Sequence, residues 1–231
     1  MRSNLSAWLL LRSGPGGAAF NMALDEALLA AMTRLRRPVL RFYSWSEAAA
    51  SFGYFQKYSE VELATALRPL VRRPTGGGIV PHDSDWTYSL ASPAGHEWYA
   101  LKAIESYRRV HEWIRQAFAK LDLASELASS ARKAGAGECF SGHERFDVLW
   151  RGKKIAGAAQ RRTRDGLLIQ GSIQAPWRSL NRPDWERAMV DVAQAESAVE
   201  WIDLAPDDQL RECAAELVRK KYSRDDYNRK K

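Results

Sequence analysis

The chain reads as an α+β domain. Two long stretches carry helical periodicity, short apolar runs around them read as strands, and a later region of tight turns reads as a three-stranded meander. The first helix is expected from Ala18 to Arg34, where Met22, Leu24, Ala27, Leu28 and Ala31 keep helical spacing. Asp25 and Glu26 fall in its first half, the end that suits carboxylates. The second, from Glu97 to Leu121, repeats Leu101, Ile104, Val110, Ile114 and Phe118 at helical intervals. The meander is expected as Arg145 to Trp150, Lys153 to Arg162 and Leu167 to Gln174. Arg151-Gly152 turns its first hairpin and Asp165-Gly166 its second, since Asp-Gly readily takes positive φ.

The remaining elements follow from shorter signals. Trp8 to Leu11 reads as a strand ending in the turn-like stretch Ser13 to Gly17. Val39 to Tyr43, Ala49 to Tyr54, Leu67 to Arg72 and Trp86 to Ala91 read as further strands. Ala124 to Gly137, rich in Ala, Ser and Gly, reads as a loop or weak helix. A short helix is expected around Pro183 to Val192, with proline in the tolerated first turn, and a clearer one from Asp207 to Lys221 with Leu210, Cys213, Ala214 and Leu217 buried. Tyr222 to Lys231 reads as a polar, basic tail.

With 231 residues, 45% apolar and 27% charged, the chain suits one domain, 1–231, with no separate accessory domain. The apolar patch Ala7 to Leu11 is too brief for a signal-peptide core or a membrane span, so the expectation is a cytoplasmic protein. Cys139 and Cys213 lie far apart without metal-type spacing and are expected to be free thiols. The net charge of +7 favours acidic partners, but its basic residues are dispersed, which argues against a nucleic-acid-binding module.

Two segments carry the chemistry, Arg72 to Asp83 (RRPTGGGIVPHD) and Gly152 to Arg162 (GKKIAGAAQRR). Three glycines after a strand can form a nest of backbone amides for a phosphate or carbonyl oxygen, with Arg72 or Arg73 supplying charge; the competing reading is a glycine-rich turn with a solvated arginine pair. The loop is neither a P-loop nor a dinucleotide fingerprint. His82 and Asp83, being merely adjacent, are poor evidence for a metal and fit a structural loop better. Strand alternation puts Lys154 with Ala156, Ala158 and Gln160, and Ile155 with Gly157 and Ala159. Lys154 is then either a solvated edge charge or a cation over a methyl floor, and the low volume of residues 155–159 leaves room for something to lie against them. Cys213 fits an inert thiol, whereas Cys139, in a loop and within reach of a lysine such as Lys154, is a candidate nucleophile.

These blocks, with Asn21 to Leu29 (NMALDEALL), Leu40 to Trp45 (LRFYSW) and Ser51 to Gln56 (SFGYFQ) upstream, resemble the lipoate-protein ligase A superfamily from about Ala7 to about Gln174. The resemblance implies mixed β-sheets flanked by helices, the fold of biotin and lipoate protein ligase catalytic domains. It implies Cys139 and Lys154 as catalytic residues, with Arg73, Thr75, Gly76, Gly77, Gly78, His82, Gly157 and Ala158 binding substrate, and no metal. Cys139 in its Cys-Phe context resembles the nucleophile of the LipM-type octanoyltransferase branch, and Lys221-Tyr222-Ser223 is similar to the end of that branch.

Such a transferase would move an octanoyl or lipoyl group from acyl carrier protein through a Cys139 thioester to a lysine of a lipoyl domain or glycine-cleavage H protein, with no cofactor. The alternative within the superfamily is an ATP- and Mg-dependent lipoate ligase acting through lipoyl-AMP, in which Cys139 is incidental. Two positions depart from the octanoyltransferase pattern. Gly78 stands where that branch tends to carry arginine, a ligase-like form, and Gln170 stands where many relatives have histidine.

Overall fold

Trp8 and Leu10 point one way from the first strand and Leu9 and Leu11 the other, and the two pairs belong to different hydrophobic cores. That split organises the molecule, seen here in a computed structural model that describes residues 6–132, 142–174 and 180–230.

In chain order the first half comprises β1 (Ser6–Gly16), α1 (Ala18–Ala30), α2 (Met32–Leu35), β2 (Val39–Trp45), β3 (Ala49–Phe52), α3 (Tyr58–Ala64), β4 (Leu70–Arg72), β5 (Val80–His82) and β6 (Trp86–Pro93). There follow α4 (Glu97–Ala100), α5 (Ala103–Ala119), β7 (Glu126–Leu127), β8 (Val148–Trp150), β9 (Lys153–Arg162) and β10 (Gly166–Ile173). The last part holds α6 (Arg182–Ser197), β11 (Val199–Asp203), α7 (Asp208–Leu217), a π-helical turn (Val218–Tyr222) and α8 (Asp225–Asn228).

Eight strands form the main sheet in the order β11-β1-β2-β6-β10-β9-β8-β7, and three form a small one, β4-β3-β5. β1 runs parallel to both β11 and β2, the pairs from β2 to β7 are antiparallel, and β3 is parallel to β4 and antiparallel to β5, so both sheets are mixed. One face of the main sheet, with Leu40, Phe42, Tyr88, Leu90, Leu167 and Ile169, packs on α5 and α6 through Val110, Ile114, Phe118, Trp185 and Met189. The other face is divided: Leu9, Leu11, Val39 and Leu168 lie under α1 and α7, while the rows further along carry Arg41, Tyr43, Thr87, Ser89, Gln170 and Ser172, buried and polar. The expected α+β class, mixed sheets flanked by helices, is what forms.

Several elements differ from the sequence reading. β1 continues through Ser13 to Gly16, with its register against β2 shifting between Arg12 and Gly14, so the glycines serve an irregular strand end. The helix expected over Glu97 to Leu121 is two, because Leu101 and Lys102 are extended. Arg151 and Gly152 do turn the β8–β9 hairpin at φ 51° and 72°. Gly166, in contrast, is absent from the positive-φ residues; it is glycine because a Cβ there would collide with the Ser92 carbonyl of the neighbouring strand. Within the expected loop or weak helix from Ala124, β7 pairs with β8. α3, β5 and β11 were not expected. The tail is not simply polar: Tyr222 and Asn228 are buried, and Asn228 Oδ1 accepts from the Arg72 amide at 2.9 Å.

Candidate active site

Two adjacent arginines at the end of β4 go separate ways. Arg72 is buried rather than solvated, and its guanidinium donates to the carbonyls of Tyr54, Gln56, Tyr227, Asn228 and Lys230 at 2.7–3.2 Å. It straps the tail to the turn after β3. Arg73 turns inward, where Nη1 donates to Ser51 Oγ at 2.9 Å and Nη2 to the carbonyls of Gly76 and Gly78 at 2.9 and 2.8 Å. Burial pushes its pKa down to about 10, which leaves it a cation at neutral pH.

The glycine loop follows from these bonds. Gly77 holds φ 86°, a conformation that favours glycine, whereas a Cβ on Gly76 or Gly78 would meet nothing within 4 Å. The close approach is made by Gly53, whose added Cβ would collide with the Gly77 carbonyl. Behind the loop, Thr75 Oγ1 donates to Gln170 Oε1 at 2.8 Å, and Gln170 Nε2 to Asp25 Oδ2 at 2.7 Å. Asp25 is fully buried and also takes Arg41 Nη1 at 2.7 Å, Ser89 Oγ at 2.6 Å and Tyr43 OH at 3.1 Å. Its carboxylate ties α1, β2, β6 and β10 together, so tertiary contacts and not the helix dipole explain its place. Glu26 likewise pairs with Lys221 and Tyr222.

A cavity of about 330 Å³ lies between the polar part of the main sheet and the small sheet. Its apolar wall includes Met22, Ile79, Val80, Ile155 and Ala158, and its charged part holds Arg73 and Lys154. The position of Lys154 corrects the alternation expected for β9. Val148 pairs with Ala156 and Leu149 with Lys154, so Ile155 is the extra residue of a β-bulge. The bulge resets the phase: Lys154 lies over Gly157, not on the face of Ala156 and Ala158. It is no solvated edge charge. Lys154 Nζ sits 2.7 Å from Oδ2 of the fully buried Asp147, which also accepts from the Glu144 amide at 2.7 Å and, through Oδ1, from Tyr107 OH. Burial, with the nearby Asp147 charge, raises the Tyr107 pKa, so this phenol stays a donor.

His82 is buried between Trp45, stacked on it at 3.8 Å, and two polar partners: Asp85 Oδ2 at 2.9 Å from Nδ1 and Ser51 Oγ at 2.6 Å from Nε2. Burial lowers its pKa. Of the residues expected in the site, Arg73, Gly77, Gly78, His82, Lys154, Gly157 and Ala158 line the cavity, while Thr75 and Gly76 stand behind its wall. Cys139 lies outside the described residues. The cavity nevertheless includes Arg132 and Gly142, the described residues on either side of 133–141, and Arg132 and His143 exchange backbone hydrogen bonds of 2.7 and 2.9 Å. Among the described residues, no cluster of His, Cys, Asp or Glu is arranged to hold a metal. Asp147, Tyr107, Ser51 and Asp85 were missed as site residues, because no spacing marks any of them as part of a site.

Residues 17–178 match the family model of the lipoyl protein ligase A/B catalytic domain. The chain belongs to that family. It is 35% identical to octanoyltransferase LipM of Kyrpidia tusciae over 73% of this chain and 66% of the relative, and 36% identical to octanoyltransferase LipM of Bacillus subtilis over 72% and 64%. The matches thus span just under two thirds of these relatives' length. Among solved structures, a lipoate-protein ligase A bound with ATP superposes with a TM-score of 0.80 at 19% identity, over 97% of this chain and 99% of the other. A bipartite lipoate protein ligase of Thermoplasma acidophilum, described with its E2 lipoyl domain, gives 0.73 at 20%, over 98% and 97%. At these identities the likeness is one of fold.

Proposed function

We propose that the protein is an acyltransferase of protein lipoylation that carries an octanoyl or lipoyl group on Cys139. The donor is the thioester of acyl carrier protein and the acceptor a lysine of a lipoyl domain or H protein. The observation that carries this reading is the cavity itself. It has an apolar wall suited to an acyl chain and cations, Arg73 and Lys154 among them, for the carbonyl end, and it is lined by the residues flanking the segment that holds Cys139. Similarity to octanoyltransferases supports the same chemistry.

In the first step Cys139 Sγ attacks the donor carbonyl, the old C–S bond breaks and the carrier's thiol leaves with a proton. In the second, the acceptor amine attacks the Cys139 thioester, the amide C–N bond forms and the Cys139 thiol is restored. The exchange between thioesters is nearly balanced and the amide draws it forward, so no nucleotide is required. Lys154, steered by Asp147, favours the thiolate and stabilises the developing oxyanion. The amides of Gly77 and Gly78, which line the cavity, make no hydrogen bond to the described residues and are further donors for that oxygen. The experiment is Cys139→Ala assayed two ways. Loss of transfer from octanoyl-carrier protein to a lipoyl domain is expected; lipoylation that persists with ATP and free lipoate would make the chain a ligase.

A further inference from the structure

Ser51, His82 and Asp85 form a chain in the order of a hydrolytic nucleophile, base and orienting acid, with contacts of 2.6 and 2.9 Å. The proton positions follow from chemistry. A carboxylate only accepts, so His82 Nδ1–H donates to Asp85; the ring being neutral, Nε2 accepts and Ser51 donates to it. Ser51 Oγ then accepts from Arg73 Nη1. The hydroxyl is used in both directions, and the chain ends on a guanidinium rather than on an open nucleophile.

Arg73 is what the chain serves. Among the described residues no carboxylate touches it, although a buried cation is costly without compensation. Asp85 supplies the counter-charge from two hydrogen-bonded groups away, which leaves the cation less quenched than a direct ion pair would. Asp85 is itself fixed to the main sheet, since Oδ2 accepts from Ser172 Oγ on β10 at 2.6 Å and from Thr87 Oγ1 on β6 at 3.0 Å. The chain therefore sets the small sheet and its glycine loop in register with the strands that face Lys154.

We propose that Ser51, His82 and Asp85 are positioning residues: they hold Arg73 and, through its bonds to the Gly76 and Gly78 carbonyls, fix the glycine loop with its amides available to the acyl carbonyl. This rests on the acyl-transfer reading. Its test is a cycle of Ser51→Ala, isosteric Asp85→Asn and the double variant in the full chain, with Ser51→Thr as the rescue.

Each single variant is expected to lower kcat for octanoyl transfer by about tenfold with little change in KM for the donor, and the double variant to lose no more than the worse single, because the groups act in series. Ser51→Thr is expected to recover most of the rate. Hydrogen exchange of segment 74–79 is expected to quicken in all but Ser51→Thr, and it reads the loop whichever acyl donor the enzyme uses. Losses that multiply in the double variant, or a loop whose exchange stays unchanged, would overturn the proposal. So would an octanoyl ester on Ser51 of the unaltered protein, which would make Ser51 a nucleophile. If no variant, nor the unaltered protein, transfers from a thioester, the acyl-transfer reading fails while the exchange data still decide the role of the chain.

Discussion

Lys154 lies across Gly157 so closely that a Cβ there would stand 2.6 Å from Cε and 2.7 Å from Nζ. The glycine is thus the space into which the ammonium folds on its way to Asp147. Gly157→Ala leaves the fold standing, because the obstructed atoms are the end of a flexible side chain, but displaces the cation. A shift of about 1 Å in a reacting group can cost on the order of 10²-fold, and a fall of that size in transfer rate is expected in a protein that still folds, with a lower melting temperature because buried Asp147 loses part of its counter-charge. A variant of near-normal rate would show that the placement of Lys154 is unimportant.

Asp25 and Arg41 are both fully buried and paired at 2.7 Å. Removing one partner strands the other charge, together with the donors of Gln170, Ser89 and Tyr43. Asp25→Ala should therefore cost about 3–5 kcal/mol of unfolding free energy, measured by denaturant titration. A loss below about 1 kcal/mol would mean that water enters to satisfy the network.

Arg72 spends its guanidinium on five main-chain carbonyls from two segments, which a lysine with three donors cannot do. Arg72→Lys is expected to cost about 2–3 kcal/mol and to speed hydrogen exchange in residues 222–230 before any other segment. Uniform exchange across the chain would argue that the strap is incidental.

Burial holds His82, His96 and His111 below the ordinary histidine value of 6.5, His111 at about 4. These groups resist protonation in the fold, so the unfolded chain takes up protons first as the pH falls below 6.5. Their contribution to stability is complete above that value and declines towards about pH 4. Denaturation midpoints should fall over this window, and His111→Gln should flatten part of the slope; a slope unchanged in the variant would place the proton uptake elsewhere.

Periodicity made α1, α5 and α7 legible, and Arg151-Gly152 marked its hairpin, because these depend on neighbours in sequence. The β-bulge at Ile155 did not show, since β9 acquires it only from its pairing with β8, and without it Lys154 was placed on the wrong face. The break at Leu101 and Lys102 carries no proline or glycine, so the helical pattern ran through it. Of the site, the glycine loop and Lys154 stood out by composition. Asp147 and Asp85 did not, because an aspartate in a sequence looks the same whether it meets water or a partner found 7 or 87 residues away, as these two meet Lys154 and Ser172. For the same reason the sequence left Arg72 open between a charge on the glycine nest and half of a solvated pair, whereas it straps the tail.

The most direct measurement is the mass of the Cys139-containing peptide after the protein is mixed with octanoyl-carrier protein and quenched in acid. An octanoyl adduct on Cys139, removed when a lipoyl domain is added and absent in Cys139→Ser, is the predicted result. A peptide that stays unmodified while the lipoyl domain becomes octanoylated would contradict the covalent route.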